Sequence, residues 1–394
     1  MSLLFISNIV PDIERYHNSA FTRSGQNVMR GIADALASEP DVEFVSCQPV
    51  PSFPQGPLWI KRSVVKTEKG YILHFLPTLN ILFFKNIVWG LYAFFYIVQW
   101  ARRHNETRRD ILVYNIYIPI ISLVYAGAKI SKSKIYAILY DLGVPPEHLK
   151  LGTLRMFGYR QFEKIAYKFI PKLDGRIVIN ERIIDEYSPG NDYILIDGGI
   201  NEDVISKLFP LKISDKQTIT YVLAGMLWEQ NGTTLLLETL KQRPDLDVKI
   251  IFAGNGNDVP AIIDAANHDK RIEYVGMLNM EELFELYEKA DVLLNVRIEE
   301  SNDMHFPSKL FEYMSVGKWI ISTPVAHAER DYSEYLDFLY EQTPKALAEK
   351  MDALALKTKK ELLAKGEATR NFIMENRTWT KRTHEILEYI KSKN

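Results

Sequence analysis

The sequence predicts an α/β protein with two doubly wound domains that face each other across a cleft. Short apolar runs rich in β-branched residues alternate with amphipathic stretches along the chain, which is typical of parallel sheets covered by helices on both faces. A length of 394 residues suits two domains that each bury a core. A polar stretch at residues 201–217, which contains Pro210, interrupts the alternation and is predicted to link the domains.

Candidate strands lie on both sides of this linker. The first series comprises residues 3–6, 42–46, 70–76, 111–114, 134–139 and 175–179, and the second comprises residues 218–223, 248–252, 272–275, 292–296 and 319–322. We expect a first domain at residues 1–200, a second at 218–375, and a C-terminal helix at 376–394 that packs back on the first. Ligands of such sheets bind beyond the carboxyl ends of the strands, so chemistry is expected in the cleft.

Charge and cysteine content exclude several classes of function. The 48 basic and 50 acidic residues nearly cancel, so there is no overall field to attract a nucleic acid. The one cysteine, Cys47, rules out a disulfide framework, and Cys and His residues form no cluster at zinc-ligand spacing. We therefore expect a cytoplasmic protein without a metal site.

The stretch that starts at Ile81 and ends at Arg109 is unusually apolar and then basic. Its uninterrupted core, at residues 87–98, is shorter than the roughly twenty residues of a membrane span. Two interpretations stay open. The stretch forms a helix buried against a sheet, or it forms a helix on a membrane surface whose following arginines face anionic lipid headgroups.

The most informative motif lies at residues 291–325. A strand ends in a polar loop, and a helix then begins at Ser308, after Pro307, and ends at Gly317. Backbone amides at a helix start can hold an anion. Lys309 in the first turn and Arg297 at the strand end would add positive charge. Glu312 shares the helix face of Ser308, and a carboxylate there suits the two hydroxyls of a ribose.

This motif resembles the donor-site signature of the retaining family 4 glycosyltransferases, in the branch with P-S-K-L-x-E-Y-x-x-x-G-K. Further similar segments lie at residues 174–181, 196–201, 223–232, 251–256 and 274–294, and the loop at Ser24 and Gly25 resembles the glycine-containing loop after the family's first strand. The resemblance implies the GT-B fold, two Rossmann-like domains around a cleft. It also implies transfer of a sugar, with retention and without a metal, from a nucleotide diphosphate, here UDP or GDP, and no other cofactor.

The resemblance also assigns roles to residues of this chain. Arg297 and Lys309 would neutralise the leaving diphosphate, and Asp141 would orient the acceptor hydroxyl, although a turn-capping aspartate is the alternative reading. The expected donor-side residues are Gly225, Gly276, Met277, Leu278, Pro307, Ser308, Lys309, Leu310 and Glu312. The expected acceptor-side residues are Ser24, Gly25, Tyr114, Asn115 and Tyr140.

Three positions depart from the family pattern, since Met226, Asn231 and Met304 stand where the pattern has charged residues. Arg297 and Lys309 are expected to compensate at the diphosphate. The family's charged residue at position 304 contacts the donor sugar. Here that contact is expected to be made by Glu299, Glu300, Asp303 or His305.

The sequence therefore predicts a glycosyltransferase whose acceptor is a growing polysaccharide or a lipid-linked saccharide, with membrane contact through residues 81–109. Two alternatives remain. One is a non-catalytic protein of the same fold that binds nucleotide or saccharide as a partner subunit, and the other is a nucleotide-sugar epimerase.

Overall fold

A computed structural model describes residues 1–13, 16, 23–140, 142, 152–205, 210–211, 218–297 and 306–393. These residues form two compact units. One unit comprises Met1–Gly199 together with Trp379–Asn394, and the other comprises Ile200–Thr378. Most of the predicted linker, at residues 206–209 and 212–217, lies outside the described residues.

The first unit is a helix-covered sheet. Its elements in chain order are β1 (Ser2–Ser7), α1 (Arg23–Leu36), β2 (Val42–Ser46), β3 (Trp59–Ile60), β4 (Ser63–Lys66), β5 (Ile72–Phe75), β6 (Thr78–Leu79), α2 (Phe84–Arg103), β7 (Arg109–Tyr114), α3 (Ile121–Ile130), β8 (Lys134–Leu139), α4 (Thr153–Tyr167), β9 (Gly175–Val178), α5 (Arg182–Tyr187) and β10 (Ile194–Leu195). The eight-stranded sheet has the order β10-β9-β8-β7-β1-β2-β5-β4. All its neighbouring strands are parallel except β4, which is antiparallel to β5.

The second unit is a fully parallel sheet. Its elements are α6 (Glu202–Ile205), β11 (Ile219–Met226), α7 (Thr233–Gln242), β12 (Val248–Asn255), α8 (Val259–His268), β13 (Ile272–Gly276), α9 (Met280–Lys289), β14 (Val292–Asn295), α10 (Lys309–Val316), β15 (Trp319–Ser322), α11 (Ala328–Tyr332), β16 (Asp337–Phe338), α12 (Pro344–Ala355) and α13 (Lys359–Asn376). The strand order β13-β12-β11-β14-β15-β16 is that of a Rossmann sheet, and it reverses between β11 and β14.

The structure confirms every strand that the sequence predicts, and β2, β8 and β15 have the predicted bounds. Strands β11 and β12 extend further than predicted, because Gly225 and Gly254 continue their pairing with positive φ angles. The strands that sequence analysis misses, β3, β4, β6, β10 and β16, are two to four residues long. Strands this short are not long enough to show the alternation of apolar and polar residues that predicts a strand.

The chain's last helix, α14 (Trp379–Ser392), belongs to the first unit. The Nη2 atom of Arg108 donates to the carbonyl of Ile390 at 2.6 Å, and Nη2 of Arg382 donates to Oδ1 of Asp197 at 2.8 Å. Its apolar residues Trp379, Ile386, Leu387 and Ile390 are buried. His384 of this helix is exposed, and the buried Arg382 extends the inward face toward Asp197.

One face of α2 is buried against the first unit and the other is exposed. Among the described helices, none has both the length and the apolar character needed to cross a membrane.

Close contact between Gly225 and Gly254 joins β11 to β12 at their carboxyl ends. The two glycines are register partners, with φ angles of +113° and +133°. A Cβ atom at position 254 would overlap the carbonyl oxygen of Gly225. Backbone at this edge therefore tolerates no side chain at position 254.

We predict that Gly254→Ala lowers the free energy of unfolding of the second unit by more than about 3 kcal/mol, because it adds a backbone collision to an unfavourable φ. The measurement is urea unfolding followed by fluorescence. The matched control is Gly276→Ala in the same unit, where φ is +78° and no described atom lies within 4 Å of the added Cβ. The control should lose about 1 kcal/mol. Equal losses in the two variants would contradict the close contact.

Candidate functional site

The candidate site lies at the carboxyl ends of β11 and β14, where the strand order of the second unit reverses. These strands are in register at Tyr221 with Val292 and at Val222 with Leu293. Strand β11 continues to Met226, beyond this pairing. A crevice therefore opens beside the end of β11, as is general for doubly wound sheets.

Side chains of α10 fill the base of this crevice. The backbone N–H of Ala224 donates to the hydroxyl of Tyr313 at 3.1 Å, and Nζ of Lys309 donates to the carbonyl of Ala224 at 3.3 Å. Lys309 and Tyr313 are four residues apart and share one helix face. These bonds fix the first turn of α10 against the end of β11.

A second helix orients the carboxylate of Glu312. The hydroxyl of Tyr287, on α9, donates to Oε1 of Glu312 at 2.8 Å. The ring of Tyr287 is buried and meets the ring of Tyr313 edge-on, with 5.5 Å between centroids. The carboxylate is therefore held by a side chain that is itself packed in the core.

The charged groups of the site shift each other's pKa values. Burial lowers the pKa of Lys309 to about 8, and the nearby charge of Arg297 adds to this effect while Glu312 opposes it. Burial also raises the pKa of Glu312, against the opposing effects of the Tyr287 hydrogen bond and Lys309. Both side chains remain partly exposed to solvent. A bound anion would restore the full positive charge of Lys309.

The backbone that carries Arg297 is fixed by polar contacts between β14 and β15. Thr323 donates its N–H to the carbonyl of Asn295 at 3.1 Å and its hydroxyl to the carbonyl of Arg297 at 2.5 Å. Nδ2 of Asn295 donates to the hydroxyl of Ser322 at 2.9 Å. Glu299, Glu300, Asp303, Met304 and His305 lie outside the described residues.

At Gly225 the backbone has no side chain and lies close to the ammonium group of Lys309. A Cβ atom at this position would lie 4.0 Å from Nζ of Lys309. At the end of β13, Gly276 has a φ of +78°, and the Met277 side chain that follows it is 73% exposed. Leu278 is half-buried. These three residues, which the sequence predicts on the donor side, thus form an accessible edge two strands away from β11.

The predicted helix boundaries at residues 308 and 317 are confirmed. Ser308 and Gly317 flank α10, and Gly317 has a φ of +75°. Pro307 is half-buried, and the Leu310 side chain is buried. The N–H of Leu310 donates to the carbonyl of Pro307 at 2.9 Å. This amide is therefore used within the turn, which limits the predicted anion-binding helix start to its other groups.

Several acceptor-side predictions fall at or beyond the limits of the described structure. Asp141 lies outside the described residues, and of Ser24 only the backbone is described, in α1 with Gly25. The next residue, Gln26, is a contact that sequence analysis misses. Its Oε1 accepts from the N–H of Val10 at 2.9 Å and ties α1 to the loop after β1.

Tyr114, Asn115 and Tyr140 lie together at the ends of β7 and β8. The two tyrosine rings are buried, 6.1 Å apart, and the Tyr140 hydroxyl donates to the carbonyl of Ile196 at 2.5 Å. Oδ1 of Asn115 accepts from the N–H of Tyr140 at 3.2 Å. These contacts join the two strand ends, and the predicted role of the three residues in acceptor binding stays a prediction.

Sequence analysis names Lys309 and Glu312 but not the tyrosines that hold them. Tyr313 had a usable signal, since it follows Lys309 by one helical turn. Tyr287 lies on a different helix and had none, because its contact with Glu312 depends on how α9 and α10 pack.

Part of the chain matches the model of a known protein family. A family model described as "Glycosyl transferase-like" matches residues 231–388. Comparison with curated protein sequences gives no significant match.

Solved structures resemble the whole chain. Sucrose-phosphate synthase from Thermosynechococcus elongatus is 14% identical, with a TM-score of 0.63 over 100% of this chain and 99% of that one. Anabaena HepE in complex with UDP is 12% identical, with a TM-score of 0.66 over 100% of both chains. The lipopolysaccharide outer core galactosyltransferase WaaB is 18% identical, with a TM-score of 0.62 over 100% of both chains. The predicted fold class, two Rossmann-like domains of the GT-B type, is confirmed.

We predict that Tyr287→Phe lowers the free energy of unfolding by about 1.5–3 kcal/mol at pH 8, because it removes a hydrogen bond to a charged group. The pKa of Glu312 lies above its ordinary value, and the variant should raise it further. The bond favours the ionised carboxyl, so the loss should shrink as the pH falls through that pKa. Urea unfolding at several pH values measures both effects.

The control for this test is Tyr274→Phe, which removes a hydroxyl that donates to the carbonyl of Gly254 at 2.9 Å. That bond has no titrating partner, so its smaller loss should not vary with pH. A Tyr287→Phe loss that stays constant between pH 4.5 and 8 would contradict the charge-assisted bond.

Proposed function

We propose that the protein transfers a sugar from a nucleotide-diphosphate sugar to a hydroxyl acceptor. The observation that carries the proposal is the position of the Lys309 ammonium group beside the bare backbone of Gly225, at the point where the strand order reverses and within the field of the Arg297 charge. Lys309 and Arg297 lie within the segment that the Glycosyl transferase-like model matches, residues 231–388, and Gly225 lies just before it. HepE, a structural neighbour, is solved in complex with UDP.

In the proposed reaction, departure of the nucleoside diphosphate places negative charge on its phosphate oxygens. Lys309 and Arg297 would stabilise that charge from a fixed position. Glu312, oriented by Tyr287, would accept from the ribose hydroxyls. The other proposed donor-side residues are Gly225, Pro307, Ser308, Leu310, Gly276, Met277 and Leu278.

The proposal assigns neutralisation of the diphosphate to side-chain cations and not to a metal ion. It takes retention of the anomeric configuration from the resemblance of the motif at residues 307–318. Front-face attack would then let the leaving phosphate help to deprotonate the acceptor, with Asp141 orienting the acceptor hydroxyl.

The proposed acceptor is a polysaccharide or a lipid-linked saccharide, reached from the cytoplasm at a membrane surface. WaaB, which shares the fold, is a galactosyltransferase of the lipopolysaccharide outer core. Membrane contact through residues 81–109 would bring this chain to such an acceptor.

One observation favours a second candidate, a non-catalytic protein that binds nucleotide or saccharide. Met226 and Asn231 replace residues that are charged in the resembling family. Nδ2 of Asn231 donates to the carbonyl of Met226 at 2.7 Å. This bond stabilises the loop that carries Asn231, and the neutral amide supplies no charge to a ligand.

We predict that UDP or GDP binds more tightly at pH 7 than at pH 9, because the protonated form of Lys309 is depleted as the pH rises through about 8. Lys309→Met should weaken binding at pH 7 by about 10- to 100-fold. The Lys309→Arg variant should bind the nucleotide as tightly at pH 9 as at pH 7, since a guanidinium stays charged. Isothermal calorimetry measures all three.

The control is Lys345→Met on α12, which removes an exposed lysine elsewhere in the same unit. It should bind like the wild type. Affinities that do not change with pH or with Lys309→Met would refute the assigned donor site.

We predict that Asp141→Asn reduces the rate of sugar transfer by more than about tenfold while the affinity for the nucleoside diphosphate stays unchanged. Release of UDP or GDP from its sugar conjugate, with saccharide acceptors present, measures the rate. Tight nucleotide binding without turnover of any donor would favour the non-catalytic alternative.

A further inference from the structure

Helix α2 is fixed to the first unit along one face. Trp89, Ala93, Ile97 and Trp100 on this face are buried. Glycines allow α2 and α3 to approach closely, since a Cβ at Gly90 would lie 2.6 Å from the side chain of Ile120. These contacts hold the inward face of α2 against α3.

The opposite face of α2 is apolar and exposed. Phe84, Leu91 and Phe95 recur at helical spacing on this face, with exposed fractions of 60%, 44% and 59%. Ile87 lies beside them and is also exposed. The stripe ends at Arg102 and Arg103, which are exposed. An apolar stripe of this size on one helix marks an interaction surface.

Helix α4 extends this surface with basic residues. The ring of Phe83, just before α2, stacks on Phe162 of α4 at 5.6 Å, and a Cβ at Gly158 would lie 2.7 Å from the Phe83 ring. The neighbours of these contacts, Phe84 and Phe157, are both more than half exposed. The two exposed rings therefore lie on adjoining helices.

The outward face of α4 runs from Phe157 through Arg160 to Lys164, and Lys168 follows directly after the helix; all four residues are exposed and at helical spacing. Helix α2 contains no Asp or Glu, and α4 contains one, Glu163. The surface thus combines exposed aromatic rings with basic side chains, which complements an anionic bilayer.

We propose that a docking face, formed by Phe84, Leu91 and Phe95 of α2 with Phe157 and Lys164 of α4 and the following Lys168, binds the surface of an anionic lipid bilayer. The aromatic rings enter the boundary between headgroups and acyl chains, and the lysines contact anionic headgroups. This deepens the membrane contact of the proposed function by adding α4, and it holds whether or not the protein transfers sugars.

The test is sedimentation of the full chain with vesicles of phosphatidylcholine, alone or with 30% phosphatidylglycerol, without any sugar nucleotide. The wild type should bind the anionic vesicles at least about tenfold more tightly, and salt should weaken binding. The double variant Phe84→Ser and Phe95→Ser should lose at least about tenfold. The double variant Lys164→Glu and Lys168→Glu should lose about fivefold per residue and much of the salt dependence.

Two controls lie on the second unit, Leu356→Ser, at an 89% exposed leucine, and Lys345→Glu. Both should bind vesicles like the wild type. Equal binding by all variants, or no preference for anionic vesicles, would overturn the proposal. A wild type that ignores vesicles but forms dimers in light scattering, which Phe84→Ser and Phe95→Ser abolish, would show a self-association face instead. Nucleotide affinity measured on the same variants keeps this outcome separate from failure of the proposed donor site.

Discussion

The candidate site depends on the hydrogen bonds that the backbone N–H and carbonyl of Ala224 make with α10. These two backbone groups lie beyond the register pairs that join β11 to β14, in a crevice where a buried amide would be costly to leave unpaired. Tyr313 and Lys309 of α10 supply the partners. The bonds that complete the sheet edge therefore also place an ammonium group, of lowered pKa, beside the bare backbone of Gly225.

The sequence predicts the sheets well because parallel strands buried on both faces give continuous apolar runs. It also predicts α10 correctly, since Pro307 and Gly317 mark its ends in the chain itself. It cannot predict that Tyr287 holds Glu312, because that bond depends on the packing of α9 against α10. The sequence cannot predict that Tyr140 is buried either, because its hydroxyl donates to the carbonyl of Ile196, which is distant in sequence.

The apolar stretch of α2 shows how a sequence pattern can combine two interpretations. A buried helix and a membrane-surface helix are alternatives at the level of composition. In the structure one face of the helix is buried, with Trp89 and Trp100 packed inward, and the other face exposes Phe84 and Phe95. Membrane contact through the exposed face is a proposal. The proposed docking face belongs to the first unit and the proposed donor site to the second, so experiments can test them separately.

The most direct test of the donor site is hydrogen–deuterium exchange of the full chain with and without saturating UDP or GDP, whichever binds. The account predicts slower exchange in peptides that cover residues 223–227 and 306–316, because the diphosphate would contact both the end of β11 and the first turn of α10. Binding that leaves both peptides unprotected would contradict the assignment of Lys309 and Glu312 to the donor site.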